Sequence, residues 1–187
     1  LGNGRYFFNG FYNYHLSTVF FSFGNSGTNK PGYLQGFETD RTVQGLLPLG
    51  GNFFALSKSD YGNYELLPRV QLNTADNQYS SSEALQGFKL PELKNNTGIK
   101  IKRLVIKGKD VLVYISDTKG KQIVLYFYDA QTGVLLATKY LGTSNPFEAG
   151  GVLVTSQNGL IIIGTCYVGG RYPKICYFSL TENQLPL

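Results

Sequence analysis

Between Lys107 and Gly142 lie three apolar runs, Val111–Ile115, Ile123–Tyr128 and Val134–Leu141, cut by two short polar turns. The runs are built from Val, Ile, Leu, Tyr and Phe, which suit a pleated, half-buried surface. The turns are Thr118-Lys-Gly-Lys121 and Asp129-Ala-Gln-Thr-Gly133. Runs of this length joined by Gly-bearing turns predict an antiparallel meander. The preceding run, Ile99–Ile106, turned at Gly108-Lys-Asp110, adds a fourth strand. A chain that repeats such a unit has few folds open to it.

The unit does repeat. Gly2-Asn-Gly4 precedes Arg5-Tyr-Phe-Phe, Gly50-Gly51 precedes Asn52-Phe-Phe-Ala-Leu-Ser, and Asn158-Gly159 precedes Leu160-Ile-Ile-Ile. Strands therefore begin at 5, 52, 111 and 160, with spacings of 47, 59 and 49 residues. Propeller blades recur every ~40–50 residues, so the middle spacing predicts an insertion of about ten. The expected fold is all-β, a propeller-like array of four-stranded antiparallel blades forming a single domain. Its four repeats are roughly 1–41, 42–97, 98–143 and 144–187. A plain antiparallel sandwich or barrel is the alternative.

Within that frame, Val124-Leu-Tyr-Phe-Tyr-Asp-Ala-Gln-Thr-Gly-Val-Leu-Leu136 resembles the strand–turn–strand of PQQ-type propeller repeats. Gly150-Gly-Val-Leu-Val-Thr-Ser-Gln-Asn-Gly-Leu-Ile-Ile-Ile-Gly-Thr165, followed by Lys174-Ile-Cys-Tyr-Phe-Ser-Leu180, is similar to the degenerate propeller repeats of bacterial surface lipoproteins, especially those of Bacteroidota. The resemblance implies a blade architecture and export to the periplasm or cell surface, with membrane association only through a lipid anchor outside this chain. It does not imply quinone binding. PQQ-type repeats carry a Trp soon after the Thr-Gly, whereas Ala137-Thr138 stands there and the chain has no Trp. No cofactor is expected.

Composition narrows the function classes. With 187 residues the chain is long enough for a real core. No apolar run approaches the roughly 20 residues of a membrane helix. Tyr and Phe number 14 and 13, so aromatics supply much of the core. The densest of the +5 net charge is Lys100-Ile-Lys-Arg103 with Lys107 and Lys109. No aromatic interleaving of RNA-binding type accompanies it, so no nucleic-acid partner is expected. The expected role is the charged solvent face of an edge strand, where charge prevents sheet-to-sheet aggregation. Residues 6–23 carry aromatics at both strand parities, which predicts burial on both faces. The stretch 73–98 is polar around a short apolar segment, 84–90, and reads as loop plus one outer strand.

Catalytic parts are scarce. His15 is the single histidine, and no Gly-x-Ser-x-Gly elbow exists. One His and two Cys do not make a zinc site, and no calcium loop is present, so no metal is expected. Asp117 and Asp129 stand at strand–turn junctions, where Asp commonly caps the turn through nearby backbone. In a propeller the turns after the second strands emerge on one face. Those turns are Tyr12–His15, Asp60–Asn63, Thr118–Lys121 and Gly169–Tyr172, and the ligand-face candidates are Tyr12, Tyr14, His15, Tyr61, Arg171 and Tyr172. A hairpin centred near Arg171 sets Cys166 opposite Cys176, within disulfide range; two buried free thiols are the alternative.

The expected function is that of a non-enzymatic binding or scaffolding component of a cell-envelope assembly, with a protein or glycan partner. The competing reading is a propeller glycoside hydrolase or lyase using loop carboxylates. The first repeat enters at its second strand and the last stops after its third. On that count the chain is expected to be part of a longer propeller, or to have its end sheets covered by a neighbour.

Overall fold

The computed structural model describes residues 7–12, 16–21, 32–35, 41–75, 78–81, 83–143, 145–169 and 171–187. Among them are fifteen strands and one short 3-10 turn at Glu182–Gln184, so the chain is all-β. It divides into two compact units, Leu1–Pro91 and Glu92–Leu187, each holding two sheets.

In the first unit, β1 (Phe7–Tyr12), β2 (Leu16–Phe21) and β3 (Gly32–Gln35) form one meander, and β4 (Arg41–Gly50), β5 (Phe53–Asp60) and β6 (Asn63–Gln71) form another. Two later strands each complete one sheet. β7 (Tyr79–Ser81) joins the first sheet beside β3 and parallel to it, while β8 (Phe88–Lys89) pairs with β6. The outer strand expected in 84–90 is thus β8. The polar stretch before it is not simply a loop, because Tyr79–Ser81 is drawn into the first sheet. Leu34 of β3 packs with Val43, Phe54, Leu56 and Leu67 of the second sheet and with Leu72, so the two sheets share one core. Tyr14 and His15 lie outside the described residues. So do the side chains of β1 and β2, on which the expected two-faced aromatic burial rests.

Among the described residues, an ionic pair sits in the β4–β5–β6–β8 sheet. Lys58 of β5 and Glu65 of β6 are direct cross-strand partners, 3.3 Å apart, each side chain only 10% exposed. Glu65 also accepts the backbone N–H of Gly87 at 3.1 Å, and the Lys58 ammonium donates to the carbonyl of Leu85. The segment leading into β8 is thereby tied to the sheet.

In the second unit, β9 (Lys100–Ile106), β10 (Lys109–Asp117), β11 (Ile123–Asp129) and β12 (Leu135–Leu141) make the four-stranded meander read from sequence. β10 from Val111 to Ile115 and β11 from Ile123 to Tyr128 are apolar throughout, and both faces of these runs are buried. One face, with Val111, Val113, Ile115, Ile123, Leu125 and Phe127, meets the second sheet in a common core. That sheet is β13 (Phe147–Val154), β14 (Leu160–Val168) and β15 (Tyr172–Leu180), supplying Ala149, Val152, Leu160 and Ile162. Leu185 is buried in the same core, and Glu182 accepts the backbone N–H of Lys107 at 2.6 Å. The C-terminal segment is thus fastened across the β9–β10 turn.

β13 bulges at Gly150: Ala149 pairs with Gly164, and Gly151 pairs with Ile163. The bulge needs a glycine opposite. A Cβ on Gly164 would come within 2.1 Å of the Glu148 carbonyl oxygen. Two side chains of the neighbouring sheet hold the backbone on either side of Ala149. Its N–H donates to Asp117 Oδ1 at 2.7 Å, and its carbonyl accepts from Lys100 Nζ at 2.8 Å. Lys100 is therefore not part of a purely solvated edge, as its alternation suggested. Its long stem reaches across to the next sheet.

Candidate functional site

The turn between β10 and β11 is held by Thr118. Its hydroxyl accepts the N–H of Gln122 at 3.1 Å, and its backbone N–H donates to the carbonyl of Gln122 at 2.9 Å. Lys121 takes the left-handed conformation that closes the turn, with φ 65°. Three further backbone bonds fix what surrounds it. Lys119 N donates to Glu92 O at 2.8 Å, Lys94 N to Asp117 O at 2.9 Å, and Phe147 N to Lys121 O at 3.0 Å. Tyr167 N in turn donates to Pro146 O at 3.0 Å, which draws the end of β14 to the same place.

These bonds enclose a cleft of about 320 Å³ lined by Lys94, Thr118, Lys119, Lys121, Pro146, Phe147, Glu148 and Tyr167. Antiparallel alternation puts the β10–β11 turn, the β12–β13 connection and the end of β14 at one end of the unit, so residues far apart in sequence meet there. Gly142 opens the connection at φ +89°, where a Cβ would run within 2.2 Å of the Phe147 ring. The Phe147 ring itself stacks edge-on against Phe178, 5.2 Å away. The apolar wall of the cleft is thus anchored in the core.

Electrostatics in the cleft centre on Glu148. One carboxylate oxygen pairs with the Lys94 ammonium, and the other accepts the Tyr167 hydroxyl at 3.0 Å. The hydrogen bond from Lys94, then that from Tyr167, holds Glu148 below the usual carboxylate range. The hydrogen bond to Glu148 raises Lys94, and the same carboxylate raises the Tyr167 phenol. At neutral pH the trio is ammonium, carboxylate and neutral phenol. None of the three is poised to exchange a proton, which general acid–base work requires. Beside them Glu92 is bracketed by two phenols, Tyr126 and, at 2.9 Å, Tyr140. Burial, then the bond to Glu92, pushes both phenols upward.

Asp117 is buried just behind the turn. It does not cap its own turn, as its position at a strand end suggested; Thr118 does that. Its carboxylate spans instead to Ala149 N and to Thr97 Oγ1, the latter at 3.1 Å. Burial raises its pKa, outweighing both hydrogen bonds and Lys100. An acid raised in the folded state favours folding most at low pH, and that contribution falls as pH climbs through the folded pKa. Asp117→Asn keeps an acceptor for Ala149 and has no charge to bury. Its stability relative to the parent is expected to improve between pH 3.5 and pH 7, read from thermal melts across that range. An advantage that shrinks as pH rises would contradict this. Asp129, by contrast, caps its turn as expected. Its Oδ1 accepts the N–H groups of Gln131 and Thr132, at 2.9 and 2.8 Å, and its pKa falls with those bonds.

The residues singled out from sequence are placed elsewhere. Tyr61 stands exposed on the β5–β6 turn of the first unit at φ 49°. Tyr12 ends β1, with its side chain outside the described residues. Arg171 and Tyr172 are exposed at the β14–β15 turn, Tyr172 paired with Val168, and neither lines the cleft. Of the four expected turns, Thr118–Lys121 contributes directly, and Tyr167 stands just before a second. Glu148 and Lys94 carried no local signal, since each meets the turn only through long-range pairing.

Cys166 and Cys176 are free thiols. They are not opposite one another: Cys166 faces Lys174, and Cys176 faces Gly164. Tyr172 and Pro173 continue the strand, which shortens the connection and shifts the register by two. Pro173 is tolerated because β15 is an edge strand, where a missing N–H costs no ladder bond. The thiols are diagonal neighbours on one face, and burial followed by the Cys166 neighbour raises Cys176.

Among the described residues, no cluster of three or more His, Cys, Asp or Glu could hold a metal ion, and no helix is long and apolar enough to cross a membrane. No protein-family model, curated protein or solved structure matches this chain.

Proposed function

We propose that this chain is a non-enzymatic, propeller-type binding module. In this reading it is exported to the periplasm or cell surface and works as a scaffolding or ligand-holding part of a bacterial cell-envelope assembly. The blade arrangement rests on the repeat spacing and on the resemblance of 124–136 to PQQ-type propeller repeats, and the location on the resemblance of 150–165 and 174–180 to the repeats of bacterial surface lipoproteins. The observation that carries the binding reading is the state of Glu148. A glycosidase-type acid needs a carboxyl held above its usual range, whereas the hydrogen bonds from Lys94 and Tyr167 hold this one below it, and Asp117, which burial does raise, is buried behind the turn on Ala149 N–H and the Thr97 hydroxyl. A cleft with fixed charges and an anchored apolar wall suits holding a ligand rather than moving protons.

The test is retention against turnover. The full chain, immobilised and exposed to a panel of cell-envelope and host polysaccharides, is expected to retain a glycan that mass spectrometry then finds intact. New reducing ends or unsaturated sugar products would make it a hydrolase or lyase and overturn the reading.

A further inference from the structure

We propose that β15 is the docking edge for a second copy of this chain, the two β15 strands pairing antiparallel about a two-fold axis at Tyr177. The inference goes beyond the binding reading and does not depend on it.

The last sheet is short of a strand. Among the described residues the other three sheets have four strands each, and β13–β14–β15 has three. Which backbone groups of β15 face outward follows from β14. Tyr167 N donates to Pro146 O, away from β15, so Tyr167 and its partner Pro173 form a non-hydrogen-bonded pair. The two kinds of pair alternate along an antiparallel ladder, so Ile175, Tyr177 and Ser179 also turn N–H and C=O outward. These three residues offer a row of donors and acceptors that the β14–β15 ladder does not use.

The edge is also unguarded. In the second unit β9 carries Lys100, Lys102 and Arg103, β12 carries Lys139, and β13 has Glu148 and the bulge at Gly150. Charges and bulges of that kind keep strand edges from pairing. On β15 Pro173 and Lys174 stand at the entry, but no charge lies between Ile175 and Leu180. Ile175 and Tyr177, on one face, are 88% and 73% exposed.

What fits such an edge is a strand that is itself uncharged there and presents its own groups in phase. β15 meets both demands. Paired with itself about Tyr177, it sets Tyr177 opposite the partner's Tyr177 and Ile175 opposite the partner's Ser179. Every outward N–H and C=O of the three residues is then bonded. A register shifted either way brings in Pro173, which has no N–H, or Thr181, which lies beyond the strand. Tyr177 already stands beside Ile163, so the two copies form one apolar row across the axis. Charge agrees with this register. Lys174 faces the partner's Leu180, and six residues of offset put it about 20 Å from the partner's Lys174, beyond the ~8 Å screening length of physiological salt. One pair of strands covers on the order of 800 Å² in total, below the size of a permanent interface, so the dimer forms and parts with concentration.

The experiment is sedimentation velocity of the full chain from low micromolar to submillimolar concentration, with hydrogen exchange followed by mass spectrometry at both ends of that range. A monomer–dimer equilibrium is expected, with exchange over residues 172–180 slowing as the dimer forms. Ser179→Pro removes one outward N–H and no bond to β14, and Tyr177→Lys sets two ammonium groups face to face at the axis. Each is expected to weaken association at least tenfold, and an unchanged melting temperature in dilute solution shows that the fold survives. A chain that stays monomeric throughout leaves the edge to a different protein and overturns the proposal. Protection of 172–180 that ignores concentration means that the edge is covered within one chain, and overturns it too. So does a dimer that both variants leave intact. A dimer lost in Tyr177→Lys but kept in Ser179→Pro is held by packed faces rather than by paired backbones, and also overturns it.

Discussion

Glu65→Ala is expected to lower the stability of the first unit by about 3–5 kcal/mol, the usual cost of removing one partner of a buried ion pair. The change takes the counter-charge from the Lys58 ammonium, whose side chain is 10% exposed, and the acceptor from Gly87 N–H. Urea unfolding followed by circular dichroism measures the loss. Replacing both partners, Lys58→Met with Glu65→Leu, is expected to recover most of it, because two apolar groups of similar volume replace two desolvated charges. The Lys94–Glu148 pair provides the contrast. Its side chains are 51% and 38% exposed, so Lys94→Ala should cost no more than about 1 kcal/mol. If Glu65→Ala proves as mild as Lys94→Ala, the Lys58–Glu65 pair is not buried as described.

A comparable loss is expected at the centre of the second unit. Phe127 is fully buried in the core that joins the two sheets, among Val111, Val113, Ile115 and Leu125 of its own sheet and Ile162 of the next. Phe127→Ala should cost about 3–5 kcal/mol, from lost burial and from a cavity that rigid strands on either side cannot collapse. Leu135→Ala on the outer strand, where the side chain is 48% exposed, should stay within roughly 0.5 kcal/mol. Chemical unfolding of the two variants side by side decides it, and equal losses would mean that β11 does not occupy the core.

What the sequence disclosed follows the range of the interactions involved. The meander from Lys100 to Leu141 was legible because its strands are neighbours and each turn carries its own Gly or capping side chain. Asp129 was legible for the same reason, since its partners are two and three residues away. Asp117 looked alike in sequence, yet its partners are Thr97 and Ala149, 20 and 32 residues away. The cysteine register was missed by two residues because Pro173 reads as a strand breaker, while edge position removes the penalty. The cleft shows both cases together. Its Thr118–Lys121 turn was marked from sequence, and its Glu148 and Lys94 were not, since nothing near either residue indicates that they meet.

The late entry of β7 and β8 governs how the first unit can assemble. Both strands come from the same short stretch, and each completes a different sheet, β7 beside β3 and β8 beside β6. Neither sheet can therefore close until residues 79–89 are available, by which time all three strands of the second meander have already been made. The two sheets are laced by one thread. They are expected to gain their last strands together, as a cooperative pair, rather than one repeat after another along the chain. A cut or long insertion near Ser81 would loosen both sheets at once, although it lies outside the two meanders that build them.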